Sequence, residues 1–283
     1  MEQLCIGYIF MSPTLTEEEK IFLKVAKKKN IKLIMFNVAD KLIEKEIEKK
    51  ARQCDIIFNN TAGYIALEIL KTLENIGIKT VDSSKVYYYT EDKWMFFLKC
   101  KEHGIPTPDT ILLSGNLNSA KKELEEFGRW PVILKLVQGE HGEFVKKADA
   151  IDEAMPIIRE LWEKRCERLP VIGQEFIRSP SYRVTVIGDK IVQTALKYND
   201  GWKSTGVYAE KIGKFEVDRE LEKLVKKIIK ACKIKICGID FLKRDNKWFV
   251  IEVNAEPSFE FFEDEREMII EKVIDFIKKE IKS

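Results

Sequence analysis

The sequence predicts an α/β protein, with a Rossmann-like amino-terminal unit followed by two units of mixed, α+β character. Short apolar runs alternate with amphipathic stretches over residues 1–90, the pattern of parallel strands joined by helical crossovers. Beyond residue 170, paired apolar runs meet at tight polar turns, the pattern of antiparallel hairpins. Hydrophobic residues form 45% of the 283-residue chain, enough for packed cores. No apolar stretch approaches the ~20 residues that span a bilayer.

The amino-terminal unit, residues 1–90, opens with a strand over 4–10 and a Ser12-Pro13 turn. A helix over 16–29 follows, announced by Thr16 with Glu19 three residues later, the spacing of a capping box. Strands over 31–36, 55–58 and, briefly, 79–81 alternate with helices over 41–52 and 62–75. No G-x-G-x-x-G follows the first strand, so a dinucleotide site there is unsupported. The central unit, residues 91–170, starts with a helix over 91–102 ended by His103-Gly104. The stretch Gly104-Ile105-Pro106-Thr107-Pro108 cannot continue that helix and forces an extended chain. A strand over 109–113, a helix over 118–127, strands over 131–137 and 143–147 around a loop with Gly139 and Gly142, and a helix over 151–168 complete this unit.

The carboxyl-terminal unit, residues 171–283, begins with an apolar stretch over 171–177. Strands over 182–187 and 190–197 flank Gly188-Asp189, where glycine supplies a positive φ. The polar loop 199–213 is long for a plain connection, which points to function. A helix over 217–232, strands over 234–243 and 248–253 around Arg244-Asp245-Asn246, and a helix over 265–282 follow. On the last helix Met268, Ile269, Val273, Phe276, Ile277 and Ile281 share the inward face.

Forty-nine basic and 47 acidic residues leave a formal charge of +2, which gives no global pull towards nucleic acid or membrane. Cys5, Cys54, Cys100, Cys166, Cys232 and Cys237 form no C-x-x-C pair, and His103 and His141 stand apart from them. A zinc site is therefore not expected, and the thiols read as small hydrophobes of a reducing, cytoplasmic compartment. No signal peptide precedes the first strand.

The most informative cluster sits on the last hairpin. Glu252 and Asn254 are two apart, which puts them on one face of a strand, and a hairpin partner can bring Asp240 to the same face. Three oxygen ligands at one point suit a hard cation such as magnesium, with phosphate oxygens and water completing the shell. An ordinary solvated strand has the same spacing. However, Ile239, Phe241, Ile251 and Val253 flank these residues, so the strands are largely buried, and a buried carboxylate needs a compensating cation. Lys135 lies in the apolar run Ile133-Leu134-Lys135-Leu136, where an inward ammonium would offset phosphate charge and an outward one would simply be solvated.

Gly238-Ile239-Asp240-Phe241 and Val250-Ile251-Glu252-Val253-Asn254-Ala255-Glu256-Pro257 together resemble the metal signature of the ATP-grasp superfamily. Over essentially the whole chain the resemblance is to its RimK/LysX-type carboxylate–amine (glutamate) ligases. It implies an ATP-grasp fold in which the central and carboxyl-terminal units sandwich ATP. It also implies two magnesium ions, with manganese as a substitute, held by Asp240, Glu252 and Asn254. Lys93 and Lys135 match the nucleotide lysines. Gln138, Gly139 and Gly142 match a glycine-containing phosphate flap, in which His141 reads as a loop residue. Gln174, Glu175, Phe176 and Ile177 match the strand that meets adenine and ribose. Arg183 matches the arginine directed at the γ-phosphate and acyl intermediate.

One segment departs from the pattern. Relatives carry an aromatic residue, Ser or Thr, Asn, then Arg-Gly-Gly; here Trp202 and Ser204 fit, but Thr205, Tyr208 and Ala209-Glu210 replace the rest. Lys203 takes over some positive charge. The implied activity is ATP-dependent amide formation through an acyl phosphate, from a small-molecule carboxylate and an amine such as glutamate. The Lys- and Ile-rich composition resembles that of methanogenic archaea, where relatives add glutamate to coenzymes. Two alternatives stay open: a non-catalytic ATP-binding module, and a ligase acting on a protein tail. A homo-oligomer is compatible with the sequence, and no nucleic-acid or membrane partner is expected.

Overall fold

The computed structural model describes residues 3–40, 43–139, 142, 144–163, 169–203, 210–257, 259 and 261–282. Its amino-terminal sheet is parallel, in the order β2-β1-β3, from β1 (Cys5–Phe10), β2 (Lys32–Asn37) and β3 (Ile56–Asn59). Central β1 is buried at every position, as befits a parallel strand covered on both faces. The capping box opens α1 (Glu17–Lys28), with the Thr16 N–H donating to Glu19 at 2.8 Å. Helices α1 and α2 (Glu44–Ala51) supply the crossovers, and α3 (Tyr64–Asn75) follows β3; residues 41–42 of the expected second helix lie outside the described residues.

The strand expected over 79–81 is reduced to one parallel bridge between Ile57 and Thr80. After it comes a helix the sequence does not announce, α4 (Ser84–Thr90). Its valine and three tyrosines are weak helix formers, but burial of Val86 and Tyr87 in the core outweighs that local preference.

The central sheet is antiparallel, in the order β4-β7-β5-β6. Its strands are β4 (Thr110–Leu112), β5 (Val132–Leu136), β6 (Val145–Ala148) and β7 (Val171–Glu175). Helices α6 (Leu117–Phe127) and α7 (Ile151–Glu163) cover it, and Leu124, Val132, Leu134, Ile158 and Val171 fill a core of its own. Residues 164–168 of the expected long helix, Cys166 included, lie outside the described residues. A cut at residue 170 separates β7 from the sheet it completes. Conversely α5 (Lys93–Glu102) buries Phe96 and Cys100 in the core beneath the other two sheets. Sheets, rather than turns, decide which residues share a core.

The third sheet is antiparallel, ordered β10-β9-β8-β11-β12. It consists of β8 (Ser181–Ile187), β9 (Lys190–Tyr198), β10 (Lys211–Gly213), β11 (Ile236–Arg244) and β12 (Lys247–Asn254), with helices α8 (Arg219–Cys232) and α9 (Glu263–Lys282). Gly188 has φ +63° at the first hairpin. At the second, Arg244 pairs directly with Lys247, so Asp245 (φ +49°) and Asn246 (φ +61°) alone make the turn, the two-residue form with both φ values positive.

The first and third sheets share two cores. One joins Ile57 and Leu70 to Ile239, Phe241 and Val250; the other joins Tyr8 and Phe22 to Ile270 and Val273. Lys24–Glu267, Lys28–Glu271 and Lys29–Asp275 pair α1 and the residue that caps it with α9 at 2.7–2.8 Å. Such surface pairs contribute little individually, so the apolar contact beneath carries the junction.

Asp82 fastens this junction from below, accepting the N–H of Lys235 at 2.7 Å and of Ile236 at 3.2 Å. Burial raises its carboxyl to about 7, against the lowering effect of those two N–H groups. A carboxyl raised on folding favours the native state below its unfolded value near 4, and that contribution is lost as pH rises through about 7. The stability of Asp82→Asn relative to the unmodified chain is therefore expected to improve by about 4 kcal/mol between pH 4 and pH 8. Urea denaturation of both proteins at the two pH values measures this; an unchanged difference would remove the assignment.

Candidate active site

Between the central and third sheets lies a cleft of about 710 Å3, reached also by the carboxyl ends of β1 and β3 through Met11, Ser12 and Asn60. In α/β units that end of the sheet is where ligands sit. Arg183, Lys203, Lys93, Lys135, Gln138, Gly139, Gly142, Gln174, Glu175, Phe176, Ile177, Asp240, Glu252 and Asn254 all line this one cleft.

The floor is built by register. On β11, Cys237, Ile239 and Phe241 enter the core while Asp240 and Leu242 face the cleft, as strict alternation demands. Asp240 pairs opposite Glu252, and Gly238 opposite Asn254, but the next pair is Phe241 with Val250. Ile251 is thus the extra residue of a β-bulge. Trp248, Val250 and Val253 face the core, and Ile251, Glu252 and Asn254 line the cleft. Without the bulge Glu252 would share the core face with Val250. Two-residue spacing alone did not reveal this, since it set Ile251 with Val253 on the buried face.

Asp240 is 2% exposed. Its Oδ2 accepts from Arg183 Nη1 at 2.7 Å and Asn254 Nδ2 at 3.2 Å, and its Oδ1 from Lys197 Nζ at 3.4 Å. Burial alone would push this carboxyl up; Lys197 and Arg183 more than offset it and hold it below the usual range. The cation that a buried carboxylate requires is therefore supplied by the protein itself. Gly238 makes room for it: a Cβ there would stand 2.3 Å from Arg183 Nη2. Arg183 Nε is buried with no acceptor among the described residues, a donor left for an anionic ligand.

Lys135 points inward from β5 and is 6% exposed. Burial, aided by Lys93, lowers its ammonium to about 8, while Glu252 acts in the opposite sense. Lys93 Nζ donates to the Gly139 carbonyl at 2.9 Å. Lys203 Nζ donates to the carbonyls of Gly142 and, at 3.3 Å, Val145. Both ammonium groups therefore grip the glycine loop, whose Glu140, His141 and Glu143 lie outside the described residues. Glu175 reaches the cleft with its carboxylate paired to Arg244. Residues 204–209, where the sequence departs from its relatives, also lie outside the described residues.

Sequence reasoning missed several lining residues. Lys197 carries a signal like that of Lys135, an ammonium beside the apolar pair Ala195-Leu196, and was within reach. Leu242 and Ile251, with Ile133 and Phe144 opposite, form an apolar slot between the sheets; three strands and a bulge bring them together, so no local pattern marks them. Glu18, Glu91 and Glu256 also line the cleft.

The floor fits a magnesium ion: two carboxylates and an amide oxygen on paired strands form a hard donor set, next to lysines suited to phosphate. No cluster of three or more His, Cys, Asp or Glu side chains occurs among the described residues, so the amide of Asn254 is needed to complete that set. No helix among the described residues is long and apolar enough to cross a membrane.

The chain is similar to known ligases. It is 26% identical over 272 residues to a glutamate–LysW ligase ArgX from Sulfurisphaera tokodaii, covering 93% of this chain and 95% of that one. It is 25% identical over 227 residues to a probable alpha-L-glutamate ligase of Haemophilus influenzae, covering 78% and 74%. In structure it resembles a RimK domain ATP-grasp protein from Sphaerobacter thermophilus, with a TM-score of 0.77, 16% identity and coverage of 96% and 98%. The model of the RimK-like ATP-grasp domain matches residues 90–277, from just ahead of Lys93 through the whole floor of the cleft, and the chain belongs to that family.

Proposed function

We propose that the chain is an ATP-dependent carboxylate–amine ligase that joins glutamate, as acid or as amine, to a small molecule through an acyl phosphate. One observation carries this reading: Lys93, Lys135, Arg183, Lys197 and Lys203 converge on the same cleft as Asp240, Glu252 and Asn254. A cationic bed beside a hard-oxygen set suits a triphosphate, not a neutral ligand. The RimK-like family membership and the glutamate ligases among its relatives support the reaction class.

The slot of Ile133, Leu242, Ile251 and Phe144 takes the adenine, and Gln174–Ile177 its polar edge. Lys135 and Arg183 orient the γ-phosphoryl group and the attacking carboxylate oxygen; as that oxygen bonds to phosphorus, the bond to ADP breaks. The amine then attacks the acyl carbon and inorganic phosphate leaves. Glu18, Glu91 and Glu256, which line the same cleft, would attract an ammonium-bearing substrate. Asp240, Glu252 and Asn254 would hold magnesium, one ion or two, with manganese as a substitute, and the metal would neutralise charge at the phosphate oxygens. The glycine loop excludes water, which would hydrolyse the acyl phosphate. A cytoplasmic location belongs to the same proposal, from the composition.

The test supplies ATP, magnesium and glutamate with a panel of acids, amines and coenzymes, and reads ADP by coupled assay and products by mass spectrometry. ADP formation with a product heavier by one glutamyl group is expected. Tight nucleotide binding with no ADP across the panel would instead favour a non-catalytic module.

A further inference from the structure

Lys197 belongs to none of the motifs, yet it is among the most buried charges of the cleft, 4% exposed. It stands on β9 opposite Ser181, two residues along β8 from Arg183, so both cations rise from the same face of the sheet. Between them they take both oxygens of Asp240, at 3.4 and 2.7 Å. We infer that Lys197 is a positioning residue which, with Arg183, holds Asp240 against a bare divalent ion and releases it only when nucleotide phosphates draw the two cations away.

This rests on the nucleotide-and-metal reading above. A divalent ion arriving alone would have to displace two buried cations and then sit beside them without counter-charge. In so little water that repulsion is weakly screened. A triphosphate reverses the balance, because it gives the displaced cations new partners. Arg183 already has a donor for it, the Nε that lacks an acceptor among the described residues. The Lys197 Nζ lies 5.0 Å from the Phe261 ring centroid, and the Arg183 guanidinium carbon lies 5.6 Å from the same ring. An aromatic face holds a cation without fixing its direction. The metal should therefore enter with the nucleotide and not before it, an order set by Lys197.

The experiment titrates Mn2+ into the full chain, without nucleotide and with saturating ADP, reading protein-bound ion by water proton relaxation and fold by circular dichroism. Without nucleotide, Lys197→Met should bind Mn2+ at least about tenfold more tightly than the unmodified protein. Lys197→Arg, which keeps the charge, should show no gain, and adding Asp240→Asn to Lys197→Met should abolish it. Should Lys197→Met be poorly folded, Lys197→Gln makes the same comparison. Equal affinities for the unmodified and charge-removed proteins would overturn the role of Lys197 and leave the metal site standing. Absence of bound Mn2+ from every variant, even with ADP, would overturn the metal site and the inference together.

Discussion

Glu252→Gln is expected to lower kcat by about a thousandfold while leaving the fold intact, the scale seen when one preorganised charge-stabilising group is removed. The substitution is nearly isosteric and half-buried, so it opens no cavity. It removes two things at once. The donor set loses one of its two carboxylates, and Lys135 loses the nearby negative charge that helps keep it protonated. ADP release under saturating ATP and magnesium reads the first effect, and thermal denaturation checks the fold. Turnover at the unmodified rate would end the assignment of Glu252 as a ligand.

Lys135→Met should weaken nucleotide binding by about 10- to 100-fold at pH 7, the worth of a charge-assisted hydrogen bond in a buried setting. The unmodified protein carries a pH signature of the same residue. Its ammonium, lowered to about 8 chiefly by burial, loses its proton as pH rises through that value. Affinity for ATP should then fall above pH 8, by at most about tenfold per pH unit. Calorimetric titration with a non-hydrolysable ATP analogue at pH 7, 8 and 9 distinguishes the two proteins: one curve bends and the Met variant stays flat. A bend that survives in Lys135→Met would assign the proton to another group.

Much of this was legible before any coordinates. Helix–strand alternation marks the amino-terminal unit because parallel strands need crossovers, and the capping box at Thr16 and the glycine at residue 188 lie where local chemistry requires them. Asp240, Glu252, Asn254 and Lys135 stood out because charged and polar groups inside apolar runs are costly without a purpose. Other features depend on partners distant in sequence. Helix α4 forms against weak local propensity because Val86 and Tyr87 are buried. The ion pairs of Asp240 join three strands, and the apolar slot joins two sheets. No spacing along one strand encodes which neighbour lies across from it.

The bulge at Ile251 has one further consequence. Val250 and Val253 both look into oil although three positions separate them, an odd step that a regular pleat forbids. Reading outward from either valine by parity gives contradictory answers for Glu252, and only the one counted back from Val253 agrees with the fold. The Ile-Glu-Val-Asn string therefore works as a unit of length as well as of chemistry. A strand that kept every residue but straightened out the bulge would bury the acid and turn Val253 towards the cleft.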